Sequence, residues 1–237
     1  MNQEISDRPN ASGSEAPAHS EHLRSLYEDR FAGKHAFRDR VWQILTKQFF
    51  SKWIAATDTV LDLGCGYCEF INNVRAVKKF GMDLNPDSVE QAANDVELIL
   101  HDCSTPWPVA PGSIDVVFTS NFLEHLMDKP EVMAVLRNAY AALKPGGRFI
   151  AIGPNVRHVP GLYWDFFDHL VPLTDRSLSE ALTAAGFHVE ESIDKFLPYT
   201  MSGARTYPPF VLTAYLRMRP AWRILGKQFL VVAQRPL

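Results

Sequence analysis

The chain has 237 residues, 46% of them hydrophobic, enough to enclose one substantial core with decorations and too little for a set of independent domains. Its 24 Lys and Arg against 27 Asp and Glu give a formal net charge of -3, so no global positive field draws it onto nucleic acid phosphates. Three cysteines exclude a disulfide scaffold, and no uninterrupted apolar run reaches the roughly 18 residues that crossing a bilayer demands.

Residues 1–20 are rich in Ser, Ala, Pro, Asn and Glu and predict a disordered tail, because too little apolar side chain is present to offset the cost of ordering them. They carry neither the basic start nor the apolar stretch of an export signal, which points to a reducing cytoplasm. Residues 21–237 form a single domain in this reading. From 21 to 56 a helical cap is predicted, since Leu23, Leu26, Tyr27, Phe31, Phe37, Val41, Trp42, Leu45, Phe49 and Trp53 recur mostly at three- and four-residue steps.

Residues 57–155 read as a core in which short apolar runs alternate with helical patterns. The runs are Thr59-Val-Leu-Asp-Leu, Lys79-Phe-Gly-Met-Asp, Val96-Glu-Leu-Ile-Leu, Ile114-Asp-Val-Val-Phe-Thr and Arg148-Phe-Ile-Ala-Ile. Such alternation predicts an α/β fold with a parallel sheet covered on both faces. Helices are signalled by Pro86, near the start of a segment ending at Asn94, and by Pro130, opening a segment to Leu143 that Lys144-Pro-Gly-Gly stops. In the remaining half, 156–237, a helix from Asp175 stops at Gly186 and strands follow at Phe187-His-Val-Glu and Phe229-Leu-Val-Val-Ala. A helical insertion is predicted over about 197–226.

Leu61-Asp62-Leu63-Gly64-Cys65-Gly66 puts a glycine pair directly after the first strand, where missing side chains let a ligand lie against the backbone. A tight turn asks for the same residues on steric grounds alone. Asp83, followed by Leu84, closes the second strand, where a carboxylate can accept hydrogen bonds from both hydroxyls of a ribose. After the third strand, Asp102 of His101-Asp102-Cys103 can accept from an adenine amino group. After the fourth, the turn Ser120-Asn121-Phe122-Leu123-Glu124-His125 can offer backbone oxygens and the Asn121 side chain to an amino acid moiety. Four strand ends in succession thus converge on one crevice.

In order and spacing, VLDLGCG, GMDL, HDC, DVVFTSNFLEHL and LKPGGRFI resemble the signatures of the class I S-adenosylmethionine-dependent methyltransferase superfamily, over roughly residues 57 to 155. The resemblance implies a Rossmann-like, seven-stranded, mostly parallel sheet with helices on both faces and an antiparallel last strand, here Phe229 to Ala233. It implies S-adenosylmethionine as cofactor, with Asp62, Gly64 and Gly66 around the methionine part, Asp83 on the ribose and Asp102 facing the adenine. Cys65, Leu84, Cys103 and Asn121 complete the expected cofactor-binding set.

Two rival readings of the turn are weaker. A dinucleotide fingerprint wants a third glycine where this chain has Glu69, whose carboxylate opposes a pyrophosphate and tolerates a cationic sulfonium. Cys65-Gly66-Tyr67-Cys68 has a redox or metal spacing, with His101 and Cys103 as further candidates, but no second cysteine pair completes a zinc site. No metal is expected, and the cysteines read as small residues packed under the cofactor.

For the acceptor, His125 is the first candidate base, since it follows the fourth strand and an imidazole takes a proton near neutral pH. Tyr163-Trp164-Asp165-Phe166-Phe167-Asp168-His169 mixes flat apolar surfaces with carboxylates and an imidazole, which suits a polyol, and Asp168 and His169 are candidate catalytic groups. Asn155, Arg157 and His158 are candidate wall residues. Between 207 and 226, Tyr207, Phe210, Leu212, Tyr215, Leu216, Trp222 and Leu225 with Arg217, Arg219 and Arg223 read as an interfacial helix for peripheral membrane contact at the inner surface. A lid or a dimer helix is the plainer reading of the same stretch. The expected function is methyl transfer to a small or lipid-linked acceptor, at a hydroxyl of a glycan or similar metabolite. The alternatives are N- or C-methylation of a metabolite and a non-catalytic cofactor-binding module.

Overall fold

The computed structural model describes residues 35–199 and 208–237. The expected tail over 1–20, residues 21–34 of the expected cap, and Tyr207 lie outside the described residues.

Strands form at β1 (Thr59–Leu63), β2 (Lys78–Asp83), β3 (Val96–Leu100), β4 (Ile114–Ser120), β5 (Leu143–Pro154), β6 (His188–Ile193) and β7 (Gln228–Gln234). Among the described residues they make one seven-stranded sheet in the order β3-β2-β1-β4-β5-β7-β6. Pairing is parallel from β3 across to β5, whereas β7 runs antiparallel to both β5 and β6. This is the α/β sheet expected from the sequence, with its antiparallel strand in place.

Alternate side chains of the central strands feed two cores, as the two-residue strand period requires. Leu61, Leu63, Val117, Phe149 and Val231 pack on one face against α4 (Lys129–Ala142) and α5 (Asp175–Ala184), through Val132, Val135, Leu136, Leu178 and Leu182. Val60, Val116, Phe118, Ile150 and Val232 pack on the other against α1 (His35–Gln48) and α2 (Glu69–Asn73), through Leu45, Phe70 and Ile71. Helix starts are chemically marked: the Asp128 side chain accepts from the Glu131 backbone, and Thr174 and Ser177 form a reciprocal capping box.

Two local expectations are corrected. The helix expected from Pro86 to Asn94 shortens to α3 (Ser88–Gln91), because the chain is already extended at Ala92 as it turns into β3. The helix opened by Pro130 ends at Ala142 and β5 begins at Leu143, opposite Ile114, so Lys144-Pro-Gly-Gly lies within the strand, where a register shift between Ile114 and Val116 absorbs the extra residues. Among the described residues the insertion holds two helices, α6 (Pro209–Arg217) and α7 (Arg219–Leu225), broken around Met218, where Pro220 follows.

Those two helices divide the apolar residues that the sequence offers to a single interfacial face. Leu212, Tyr215, Leu216 and Trp222 are buried, with Trp222 edge-on to Phe196 and Phe49 at 5.3 and 5.8 Å. Phe210, Met218, Ile224 and Leu225 remain exposed. No helix among the described residues is long and apolar enough to cross a membrane.

β1 is flanked by β2 on one side and β4 on the other, so the chain reverses its direction across the sheet at β1. The crevice that opens at such a reversal, beyond the carboxyl ends of the strands, is where α/β sheets bind ligands.

Candidate functional site

The turn leaving β1 is stitched to the end of β2. The backbone N–H groups of Gly64 and Cys65 donate to the Met82 carbonyl at 2.8 and 3.2 Å. Gly66 N–H donates to Asp83 Oδ2 at 2.8 Å, and Asn85 N–H donates to Oδ1 at 2.8 Å. Each carboxylate oxygen keeps acceptor capacity beyond its backbone bond. Asp83 therefore fixes the turn and still has room for a ligand.

The two glycines of the turn serve different ends. Both are left-handed, with φ of +66° at Gly64 and +49° at Gly66. A Cβ on Gly64 would lie 2.3 Å from the Phe122 ring, whereas one on Gly66 would meet nothing within 4 Å. Gly66 leaves the space over the turn open; Gly64 makes room for Phe122, which arrives from the end of β4.

Burial holds two carboxyls of this mouth above the usual carboxylate range. Asp62 is raised well above it by desolvation, then by the charges of Cys68, Asp83 and Glu69. Asp83 is raised by desolvation, against the pull of the Asn85, Gly66 and Leu84 backbone donors. A cation bound beside these acids would favour their ionised forms. Cys65 and Cys68 are buried with sulfurs 3.8 Å apart. The Cys65 thiol is pushed up by its Cys68 hydrogen bond and by burial, and burial pushes Cys103 up to about 12. Buried thiols held away from ionisation pack as small apolar groups. His101 bonds within its own loop, to Thr105 Oγ1 at 2.9 Å and the Pro106 carbonyl at 3.0 Å.

Asp102 and Leu84 are exposed, and Asp102 Oδ1 accepts from the Ser104 backbone and hydroxyl at 2.8 and 2.7 Å. Asn121 stands at φ 49°. Its amide nitrogen donates to Ser120 Oγ at 3.0 Å, while its Oδ1 is buried without a hydrogen-bond partner among the described residues. An orphaned acceptor at this point asks for a donor from a ligand.

At the other end of the crevice, two segments lock together. The 3-10 turn Leu123–His125 follows β4, and Leu170 and Val171 N–H both donate to the Glu124 carbonyl, at 2.8 and 3.1 Å. That register brings His125 to Asp168: its Nδ1 lies 2.9 Å from the Asp168 carbonyl and 3.3 Å from the carboxylate Oδ2. Burial pulls the His125 imidazole down, but the Asp168 hydrogen bond and the Glu124 and Asp168 charges outweigh it, and the net shift is upward. His169 is buried, its ring 5.0 Å from that of His125 and 4.7 Å from that of Tyr163. The fold thus gathers the three candidate catalytic residues His125, Asp168 and His169 in one place. Trp164 and Phe167, 59% and 88% exposed, flank them as free aromatic surface.

Glu124 belongs to this cluster although nothing in its local sequence marks it out. It is 3% exposed, and burial pushes its carboxyl up to about 7. A Glu ahead of a His on a short turn has no periodicity that reveals which side chain points inward. The wall expectation for Asn155 is corrected: it is wholly buried and donates to Asp175 at 2.8 Å and to the Asp194 carbonyl at 3.0 Å. Arg157 and His158 likewise meet Asp175 and Asp194, at 3.4 and 3.2 Å. These three pin the β5 exit to α5 and β6.

Over residues 34–192 the sequence matches a protein family described as a methyltransferase domain. It is 30% identical over 144 residues to a probable S-adenosylmethionine-dependent methyltransferase of Mycolicibacterium smegmatis, covering 58% of this chain and 54% of that protein. It is 31% identical over 147 residues to an uncharacterized 37.1 kDa protein in transposon TN4556 of Streptomyces fradiae, covering 57% of this chain and 38% of that one. The matched stretches therefore span about half or less of these relatives. In fold, the chain is similar to a SAM-dependent methyltransferase from Archaeoglobus fulgidus, with a TM-score of 0.61 at 21% identity, over 89% of this chain and 99% of that one.

Proposed function

Because the chain belongs to the methyltransferase-domain family, whose cofactor is S-adenosylmethionine, we propose that it transfers a methyl group from S-adenosylmethionine to a hydroxyl of a small or lipid-linked acceptor, a glycan or similar polyol. The residues at the crevice fit that cofactor. The buried Asn121 Oδ1 awaits a donor such as an ammonium, Gly66 leaves open space, and Asp83 retains acceptor capacity for a ribose diol. Bound there, S-adenosylmethionine supplies an electrophilic methyl group on a cationic sulfur.

The observation that carries the hydroxyl reading is the anchoring of His125 by Asp168. A ring whose Nδ1 is held by a carboxylate has its tautomer set, so that Nε2 can accept a proton. Tyr163 Oη donates to the Val171 carbonyl at 2.6 Å and stiffens the loop that presents Trp164 and Phe167, flat surfaces on which a sugar ring can stack. His125→Gln is expected to lower kcat on a hydroxyl acceptor by about 100- to 10,000-fold with cofactor affinity kept, as loss of a general base does. Steady-state kinetics with calorimetry of cofactor binding checks it. Undiminished turnover would move the acceptor to an amine or carbon, which needs less help with a proton.

A pH dependence follows from the raised carboxyls. Asp62 and Asp83 bind protons more tightly in the free protein than ordinary carboxyls, and a cationic ligand favours their ionised forms, so binding releases protons. Affinity for S-adenosylmethionine is therefore expected to rise with pH above the usual carboxylate range, read by calorimetry in buffers of different ionisation heat. An affinity that falls over this window would remove the two carboxyls from the site.

A further inference from the structure

Glu124, His125 and His169 each offer one ligand atom, and these atoms lie within 4.8 Å of one another. Two further observations separate this trio from ordinary buried polar packing. Glu124 is 3% exposed, and its Oε1 has no hydrogen-bond partner among the described residues. Folding penalises such an atom unless something else supplies the missing contact. His125 is also oriented from behind: its Nδ1 faces the Asp168 carbonyl at 2.9 Å and Oδ2 at 3.3 Å, so a ligand role falls to Nε2. A carboxylate behind an imidazole is how proteins aim histidines at cations.

We propose that Glu124, His125 and His169 form a divalent-cation site at the acceptor end of the crevice, with Asp168 as its positioning residue. One carboxylate and two imidazoles suit a borderline cation such as zinc, cobalt or iron(II) better than calcium or magnesium. Three protein ligands leave coordination positions open, as in sites where the ion acts on a substrate. An acceptor oxygen taking one of them would be aligned and made more acidic, which deepens the hydroxyl reading above and rests on it for its purpose. With the ion in place His125 Nε2 is a ligand and the acidified hydroxyl gives its proton to water; the base role proposed above belongs to the ion-free protein.

The binding arm of the test needs no acceptor. Full-length protein stripped with a chelator is titrated with Co2+, read by visible absorption, and with Zn2+, read by calorimetry. Saturable binding of one ion per chain is expected. Glu124→Gln and His169→Gln should weaken it at least about 100-fold, and Asp168→Asn by about 10- to 100-fold, with cofactor affinity retained in each. Should the ligand variants fail to fold, wild type and Asp168→Asn still decide. Folded wild type that binds neither ion, or ion binding that all three substitutions leave unchanged, overturns the site. Methyl transfer that persists in chelated protein also overturns a working role for the ion while leaving the methyltransferase reading intact. An ion bound where no methyl transfer can be found would do the reverse.

Discussion

Asp83→Ala is expected to weaken S-adenosylmethionine binding by about 100- to 10,000-fold, because hydrogen bonds to a charged group contribute roughly 1.5–3 kcal/mol each and two ribose hydroxyls are at stake. The substitution also frees the Gly66 and Asn85 N–H groups, so the turn itself loosens. Asp83→Asn separates these contributions. An amide keeps one acceptor oxygen but sets an NH2 group against one of the two backbone donors, so its loss should be intermediate and its melting temperature lower than that of wild type. Calorimetric titration of the three proteins, each checked by thermal melting, reads the series. Equal affinity in wild type and Asp83→Ala would put the ribose elsewhere, and a folded wild type that binds no S-adenosylmethionine would remove the cofactor from this crevice.

The cofactor half of the site was legible because its chemistry is local. A strand, a glycine turn and an acid at the next strand end lie within one short stretch, and β1 and β2 pair side by side with Gly64 and Cys65 bonded to Met82. What sequence order could not carry is contact between distant loops. Glu124 and His169 meet because Leu170 and Val171 dock on the Glu124 carbonyl, a register that no pattern in either segment encodes. The same limit explains 207–226. Helical spacing identifies an apolar stripe but not what it faces, and here the break at Met218 turns Trp222 inward while Ile224, 80% exposed, faces out. Asn155 was misassigned for a related reason: its partner Asp175 begins a helix twenty residues on, and only the packed structure shows that the pair is buried.

Gly64→Ala should be among the most damaging single changes in the domain. The new residue would sit at φ +66°, which costs an L-residue roughly 1–2 kcal/mol, and its Cβ would overlap the Phe122 ring, with overpacking typically costing a further 1–3 kcal/mol or so. Against the total of about 5–15 kcal/mol that holds a domain folded, a loss of about 2–5 kcal/mol lowers the melting temperature visibly. Phe122→Ala removes the ring and leaves a cavity, so alone it also destabilises. Placed together, the two substitutions should cost less than the sum of their separate effects, because the methyl then occupies space the ring has vacated. Strict additivity in thermal melting would show that the clash is relieved some other way. The double variant also divides the two reasons for a glycine here. If stability recovers and S-adenosylmethionine still fails to bind, the cofactor needs the bare backbone of Gly64 as well as that of Gly66. If binding recovers with stability, Gly64 is there for Phe122, and the cofactor lies over Gly66 alone.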